Sequence, residues 1–506
     1  MGAGRTPRTD VLTTPLPGVV LGDPFVLRHR GRFYLYGTND GPPLADGRMI
    51  PVHRSDDLLH WEPLGGALEP TEPEADHWAP EVMYWNGRFF MVVSFGDVER
   101  RGHALWVATA DRPEGPFRLA KRLSDPSELF SIDGSWLLDD DGQLYLFRCL
   151  DFTTDDAPPH GTGIVVQPMH DPQTTAGPPA TVLRAHSPWQ LFQADRTMPL
   201  YGGRTFATWN TIEGPAPVRR AGRVFCGYSG GNYAGAYGTG EAIADHPLGP
   251  YTDLRGENGP IFGTTPGLVE GPGHFSVVRP DLVHDWIVLH GRTPGEHVRR
   301  VWLCPASWDR EGVTIGPLTD APQPSPPLPT DLSRFDGPPG SPPKGWRIDS
   351  GTWTCGGDGL RQADRSAREA LACRETVTLG DSWAAEAWIR FPEAGPAEAG
   401  LVVLAGGARA EIVIKPDESR WEATGPDGAK SSHPLPSLGA GPFDPEVYHV
   451  LEIRAESGRA EARLDGVRLP GGWSVVGPDA RLGLLASGVA EFDALAITNG
   501  SAPGRP

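Results

Sequence analysis

The chain has 506 residues, too many for one ordinary hydrophobic core, so two domains are the natural expectation. Its 65 glycines and 54 prolines, set among only 39% hydrophobic residues, argue against long helices and for short apolar runs between turns, an all-β pattern. A formal net charge of −19 opposes binding to nucleic acid or to an acidic membrane and leaves a neutral or cationic ligand.

The N-terminal stretch MGAGRTPRTDVLTTPLPG carries two arginines but no apolar core of a signal peptide, and no later run is long enough to span a bilayer. Residues 1–17 therefore read as a tail. The expected location is cytoplasmic, or secreted if a leader has been removed. Cys149, Cys226, Cys304, Cys355 and Cys373 are odd in number and widely scattered, which suits buried free thiols better than a disulfide frame or a zinc site.

A turn followed by an aromatic-rich strand then recurs five times: GRFYLY from Gly31, GRFFMVV from Gly87, GQLYLF from Gly142, GRVFCGY from Gly222 and DWIVLH from Asp285. Each copy is followed by a second strand-like piece. Repeats of this kind predict a five-bladed β-propeller over residues 18–316, with a β-sandwich as the alternative. One polar residue lies before each hairpin turn, at the start of the preceding strand: Asp23, Glu81, Asp133, Glu213 and His274. Five equivalent positions on innermost strands would converge on one axial pocket. The triple acid Asp139, Asp140 and Asp141 reads as a solvated turn.

Residues 317–345, with APQPSPPLPT and GPPGSPPKG, lose the strand pattern and read as a semi-rigid proline-rich linker. Residues 346–500 again alternate short apolar strands with Gly and Asp turns, which predicts a second all-β unit of jelly-roll or sandwich type.

Several carboxyl groups in one cavity suit cleavage of a glycosidic bond. That reaction needs one carboxyl kept protonated and one ionised, and crowding separates their pKa values. Trp209, Thr211 and Glu213 are expected to share one strand face, which adds Trp209 to the candidate substrate-binding residues.

The ordered blocks GDPFV, HWAPEVMYWNGRFFMVVSFG, SIDGSWLLDDDGQLYLF, TIEGPAPVRRAGRVF and EGPGHFSVV resemble glycoside hydrolase family 43 across the whole first domain. The resemblance implies an inverting glycosidase on arabinose- or xylose-containing glycans, with Asp23 as general base, Glu213 as general acid and Asp133 as the group that tunes and orients the acid. It further implies that Trp78 lines the sugar pocket, that Arg292 contacts the sugar near the base, and that His274 faces the central channel, able to hold a calcium ion or a water. No cofactor is expected for the chemistry itself. The partner is expected to be a neutral oligosaccharide or polysaccharide. Inversion implies carboxyls roughly 6.5 to 9.5 Å apart. The alternatives are a carbohydrate-binding propeller without catalysis and an invertase-type fructosyl hydrolase. The strand pattern of the C-terminal unit resembles laminin-G and concanavalin-like sandwiches.

Overall fold

The structure is a computed structural model and describes residues 11–71, 76–97, 102–155, 158–256, 258–357, 359–438, 442–477 and 479–500. Strands dominate, and the only helical pieces described are three short 3-10 turns. Five antiparallel sheets follow one another along the first part of the chain. Their first strands are Gly22–His29, Trp78–Trp85, Ser131–Leu138, Ile212–Arg220 and Glu270–Val278. Four of the sheets have four strands; the third has seven, because the excursion after Asp151 adds a hairpin, Leu191–Met198 with Arg204–Asn210, and two short strands.

These first strands touch one another in a closed cycle, the fifth returning to the first. Alternation along each strand explains the ring. Residues on the two faces of a sheet enter two different apolar layers, one shared with each neighbouring sheet. Tyr36 and Met91 share one such layer and Val107 and Leu146 the next. Ile164 and Cys226 share the third, Ala216 and Leu289 the fourth, and Leu303 and Leu35 the fifth. The result is a propeller-like ring. The segment before the first sheet closes it, since Leu16 N–H donates to Val301 O at 2.8 Å and Leu21 N–H to Arg299 O at 3.1 Å. All five cysteines are buried free thiols.

The proline-rich stretch is less strandless than its sequence suggests. Gln323–Pro324 pairs with Val11–Leu12, and Asp331–Ser333 pairs with the last strand, Ala490–Asn499, so it is stitched to both halves of the chain. Beyond it, a nine-stranded and a seven-stranded sheet enclose a second core that includes Trp353, Trp383, Leu401, Trp421, Leu451 and Leu484.

The nine-stranded sheet docks on the hairpin turns of the ring. Arg28 pairs with Glu386 at 2.6 Å, Arg30 pairs with Asp493 at 2.6 Å and lies over the Tyr448 ring, and the Tyr84 hydroxyl donates to Tyr448 O at 2.8 Å. The triple acid belongs to this contact. Asp140 accepts from Arg463 at 2.5 Å, while Asp139 is buried and forked by Arg219. The expectation of a solvated turn is therefore corrected: an ion pair within the ring and another across to the second core take up two of the three charges.

Candidate active site

Every innermost strand carries the same irregularity. Between Gly22 and Phe25, two residues oppose one on the neighbouring strand, and the same slip occurs at Trp78/Glu81, Ile132/Ser135, Glu213/Ala216 and Gly273/Ser276. In each bulge the first extra residue has positive φ: Asp23 at 50°, Ala79 at 45°, Asp133 at 55°, Gly214 at 58° and His274 at 49°. A non-glycine residue there costs on the order of 1–2 kcal/mol, so four such residues persist only because the surrounding ladder holds them. The bulge turns the side chain out of the regular pleat.

This register corrects the sequence-based equivalence. The five matched positions are Asp23, Ala79, Asp133, Gly214 and His274. Glu213 stands one residue before its bulge, paired with Ser229, and Glu81 stands just after its own, paired with Val92. Gly214 is required at its position. A Cβ there would sit 3.0 Å from the Nδ1 of His274, and the Gly214 N–H donates to Asp133 Oδ2 at 2.9 Å.

Asp23 is the most heavily partnered acid. Arg299 Nη1 donates to its two carboxylate oxygens at 3.0 and 2.9 Å, the Thr38 hydroxyl donates to Oδ2, and His274 Nδ1 lies 3.3 Å from Oδ1. Its backbone N–H donates to His290 Nδ1 at 3.0 Å. Burial alone would raise its pKa, but Arg299, followed by His274, outweighs it and holds the carboxyl well below the usual range. Gly22 makes room for this contact, because a Cβ there would lie 2.0 Å from the Arg299 guanidinium carbon.

Glu213 and Asp133 are displaced the other way. Burial raises Glu213 to about 7; a hydrogen bond from the Tyr237 hydroxyl at 2.8 Å pulls it down, and the Asp23 and Asp151 charges push it up. Asp133 is raised chiefly by burial, against the pull of His274 and with a further push from Glu213 and Asp23. The three acids thus share one electrostatic neighbourhood. Glu81 is raised to about 8 by burial; it bonds to Ser135 and feels Asp133.

The remaining predicted residues divide. Arg292 is buried, and its Nε and Nη2 have no hydrogen-bond partner among the described residues. Trp78 stacks on His103 at 3.8 Å and donates to Asp40 Oδ1 at 2.6 Å; Asp40 in turn accepts from Arg299. Trp209 is corrected. It is 2% exposed and packs with Met198 and Phe206, and its strand ends at Asn210 before Ile212 begins the strand of Glu213, so the shared face is lost. Among the described residues no cluster of three or more His, Cys, Asp or Glu groups is arranged for a metal. His274 instead faces Asp23.

Arg299, Tyr237, Thr38 and His290 had no sequence signal that separated them from their neighbours. Arg299 is one of two consecutive arginines, and only ring closure distinguishes it, by bringing the third strand of the last sheet against the first.

The profile of glycosyl hydrolases family 43 matches residues 13–314. Among curated proteins, the chain is 22% identical over 273 residues to an extracellular endo-alpha-(1->5)-L-arabinanase of Thermotoga petrophila, covering 47% of this chain and 52% of that protein. It is 23% identical to an extracellular exo-alpha-(1->5)-L-arabinofuranosidase of Streptomyces avermitilis, covering 53% and 54%. The chain thus spans about half the length of these relatives. Among solved structures, a thermostable family-43 glycoside hydrolase superposes with a TM-score of 0.53 at 29% identity, covering 62% of this chain and 99% of that one.

Proposed function

The chain belongs to glycosyl hydrolases family 43, and from that premise we propose that it hydrolyses arabinofuranosyl or xylosyl linkages by a single inverting displacement. Asp23, ionised, removes a proton from the attacking water. Glu213, protonated near neutrality, donates to the departing oxygen. The observation that carries this reading is the opposite displacement of the two carboxyls, one held low by Arg299 and the other raised by burial.

Asp133 is a positioning residue in this reading. It accepts the Gly214 N–H next to Glu213, and the Glu213 charge in turn adds to the rise of the Asp133 pKa. His274, His290 and Arg299 all contact Asp23, and Arg292 is the residue read as donating to sugar hydroxyls. The five sheets, each packed on two neighbours, support reading them as the five blades of a propeller spanning residues 18–316. The two-sheet unit of residues 346–500 is read as a sandwich of laminin-G or concanavalin type that stabilises the turn side of the ring. Two curated relatives are named extracellular, which favours the secreted form of this protein over the cytoplasmic one.

The test compares nitrophenyl arabinofuranoside and xyloside turnover by the wild type, Asp23→Asn and Glu213→Gln. A dinitrophenyl glycoside, whose leaving group needs no proton, should rescue Glu213→Gln and not Asp23→Asn. Full activity of Glu213→Gln on unactivated oligosaccharides would remove it from the acid role, and a product of retained configuration would exclude the single displacement.

A further inference from the structure

A departing sugar must extend to the side of the group that protonates it. The loop nearest the Glu213 carboxyl through a direct bond is 231–237, closed by the strands Arg223–Gly230 and Gly238–Ala244. The loop is tied to the acid through Tyr237, whose hydroxyl donates to Glu213 Oε1 at 2.8 Å. Four residues earlier stands Tyr233. It is 55% exposed and the sole aromatic residue among the exposed large hydrophobics of the described chain. An exposed aromatic ring on a loop bonded to a buried acid calls for a reason.

The surroundings hold this ring in place from behind. Phe192, on the added hairpin of the third sheet, meets it with ring centroids 6.1 Å apart at 38°, and Asn232 Nδ2 donates to Phe192 O at 3.2 Å. Arg196, on the same hairpin, lies over the other part of this layer, 4.3 Å from the Phe192 centroid. The Thr264 hydroxyl anchors the loop by donating to Gly235 O at 2.6 Å. One aromatic layer is thus backed by protein while Tyr233 stays open to solvent.

We infer that Tyr233, supported by Phe192, is the platform for the sugar on the leaving-group side of the scissile bond, and that it sets the preference of this chain for oligosaccharides over small glycosides. The inference rests on the functional reading above, since the acid role of Glu213 decides which side the leaving sugar takes. The apolar C–H face of a pentose ring stacks on an aromatic face, and the two hinge-free torsions of a tyrosine backed by Phe192 keep the ordering cost low. Trp78, fixed by Asp40 next to Arg299, belongs to the opposite, Asp23 side. The two rings would therefore bracket the cleaved linkage.

The experiment measures KM and kcat of the wild type, Tyr233→Ala and Tyr233→Phe on an α-1,5-linked arabinotriose, on xylotriose, and on the matching methyl glycosides, whose leaving group is too small to reach the ring. For whichever trisaccharide the wild type cleaves, Tyr233→Ala should raise KM about tenfold relative to the change on the methyl glycoside, with kcat within about twofold. Tyr233→Phe should keep the wild-type KM. Equal shifts on the two kinds of substrate, no shift on either, or a fall in kcat with KM unchanged would each overturn the platform while the functional reading stands. Absence of turnover of every glycoside by the wild type would overturn the functional reading and the platform with it.

Discussion

Arg299 reaches across 276 positions of sequence to fork Asp23, donating from Nη1 to both oxygens of its carboxylate at 3.0 and 2.9 Å. The contact exists because the segment ahead of the first sheet is hydrogen-bonded along the third strand of the fifth, through Leu16 to Val301 and Leu21 to Arg299. Closing the ring and bringing the Arg299 charge to Asp23 are thus one event.

Replacement of Arg299 by Met should raise the Asp23 pKa, because the group that outweighs its burial is gone. In the proposed mechanism Asp23 acts as a base only when ionised, so the acid limb of kcat/KM should move upward and kcat should fall by about tenfold or more. The same shift predicts a change in stability. Asp23 has a folded pKa below its unfolded value of about 3.9, so the ion pair contributes stability above that pH, lost as the pH falls through the folded value. Thermal melts of the wild type and Arg299→Met between pH 3 and 7 should therefore differ most at pH 7 and converge toward pH 3.

Glu213, raised to about 7, should govern the alkaline limb. Activity on unactivated substrates should fall above about pH 7 as the acid loses its proton, with no comparable fall until well into the acid range. Glu81→Gln is the control. Glu81 bonds to Ser135 and its raised pKa traces to burial and Asp133, so its substitution should lower kcat by less than about tenfold, against about a hundredfold or more for Glu213→Gln. Equal losses in the two variants would count against assigning the acid role to Glu213.

Tyr237→Phe removes the hydroxyl that donates to Glu213 Oε1. That bond favours the ionised carboxylate, so its loss should raise the Glu213 pKa further and move the alkaline limb up. A pH profile shifted upward with an unchanged melting temperature would separate this effect from damage to the fold.

Gly214→Ala tests the bulge. The new Cβ meets both a left-handed backbone and the His274 ring at about the closest approach the site allows. It should lower Tm by a few degrees, about 1–2 kcal/mol, and should cut kcat more strongly, because Asp133 accepts from the N–H of this same residue.

Glu386→Ala leaves Arg28 without its partner between the ring and the second core, where the two side chains are about nine-tenths buried. Breaking such a pair on one side typically costs about 3–5 kcal/mol. The melting curve should shift down by several degrees, while KM for a short substrate stays near the wild-type value, because Arg28 lies at the turn end of its strand and Asp23 at the other. A large change in KM would show that the second core acts on the site through the strand.

Much of the site was legible because its acids sit in local patterns. The Asp-Pro of GDPF, the Ile-Asp-Gly of SIDG and the Glu-Gly-Pro of TIEGP mark strand starts where the chain must turn out of its pleat, and the five aromatic hairpins mark five sheets. What period-two reasoning could not supply was the register across each bulge. One extra residue shifts the facing side chains, so Ala79 and Gly214 took the positions expected of Glu81 and Glu213. The same limit misread Trp209, whose strand ends before that of Glu213 starts.

The sequence by itself determined the all-β class, the repeated hairpins and the second run of strands, and marked Asp23, Asp133 and Glu213 as candidates, because each of these is written in residues near one another along the chain. Only the tertiary structure decided which of two adjacent arginines pairs with Asp23, which tyrosine donates to Glu213, and that Asp139 and Asp140 are paired rather than solvated. These are contacts between residues tens to hundreds of positions apart. They depend on how the sheets close and dock, and a pKa follows from the burial and charges that this closure brings together.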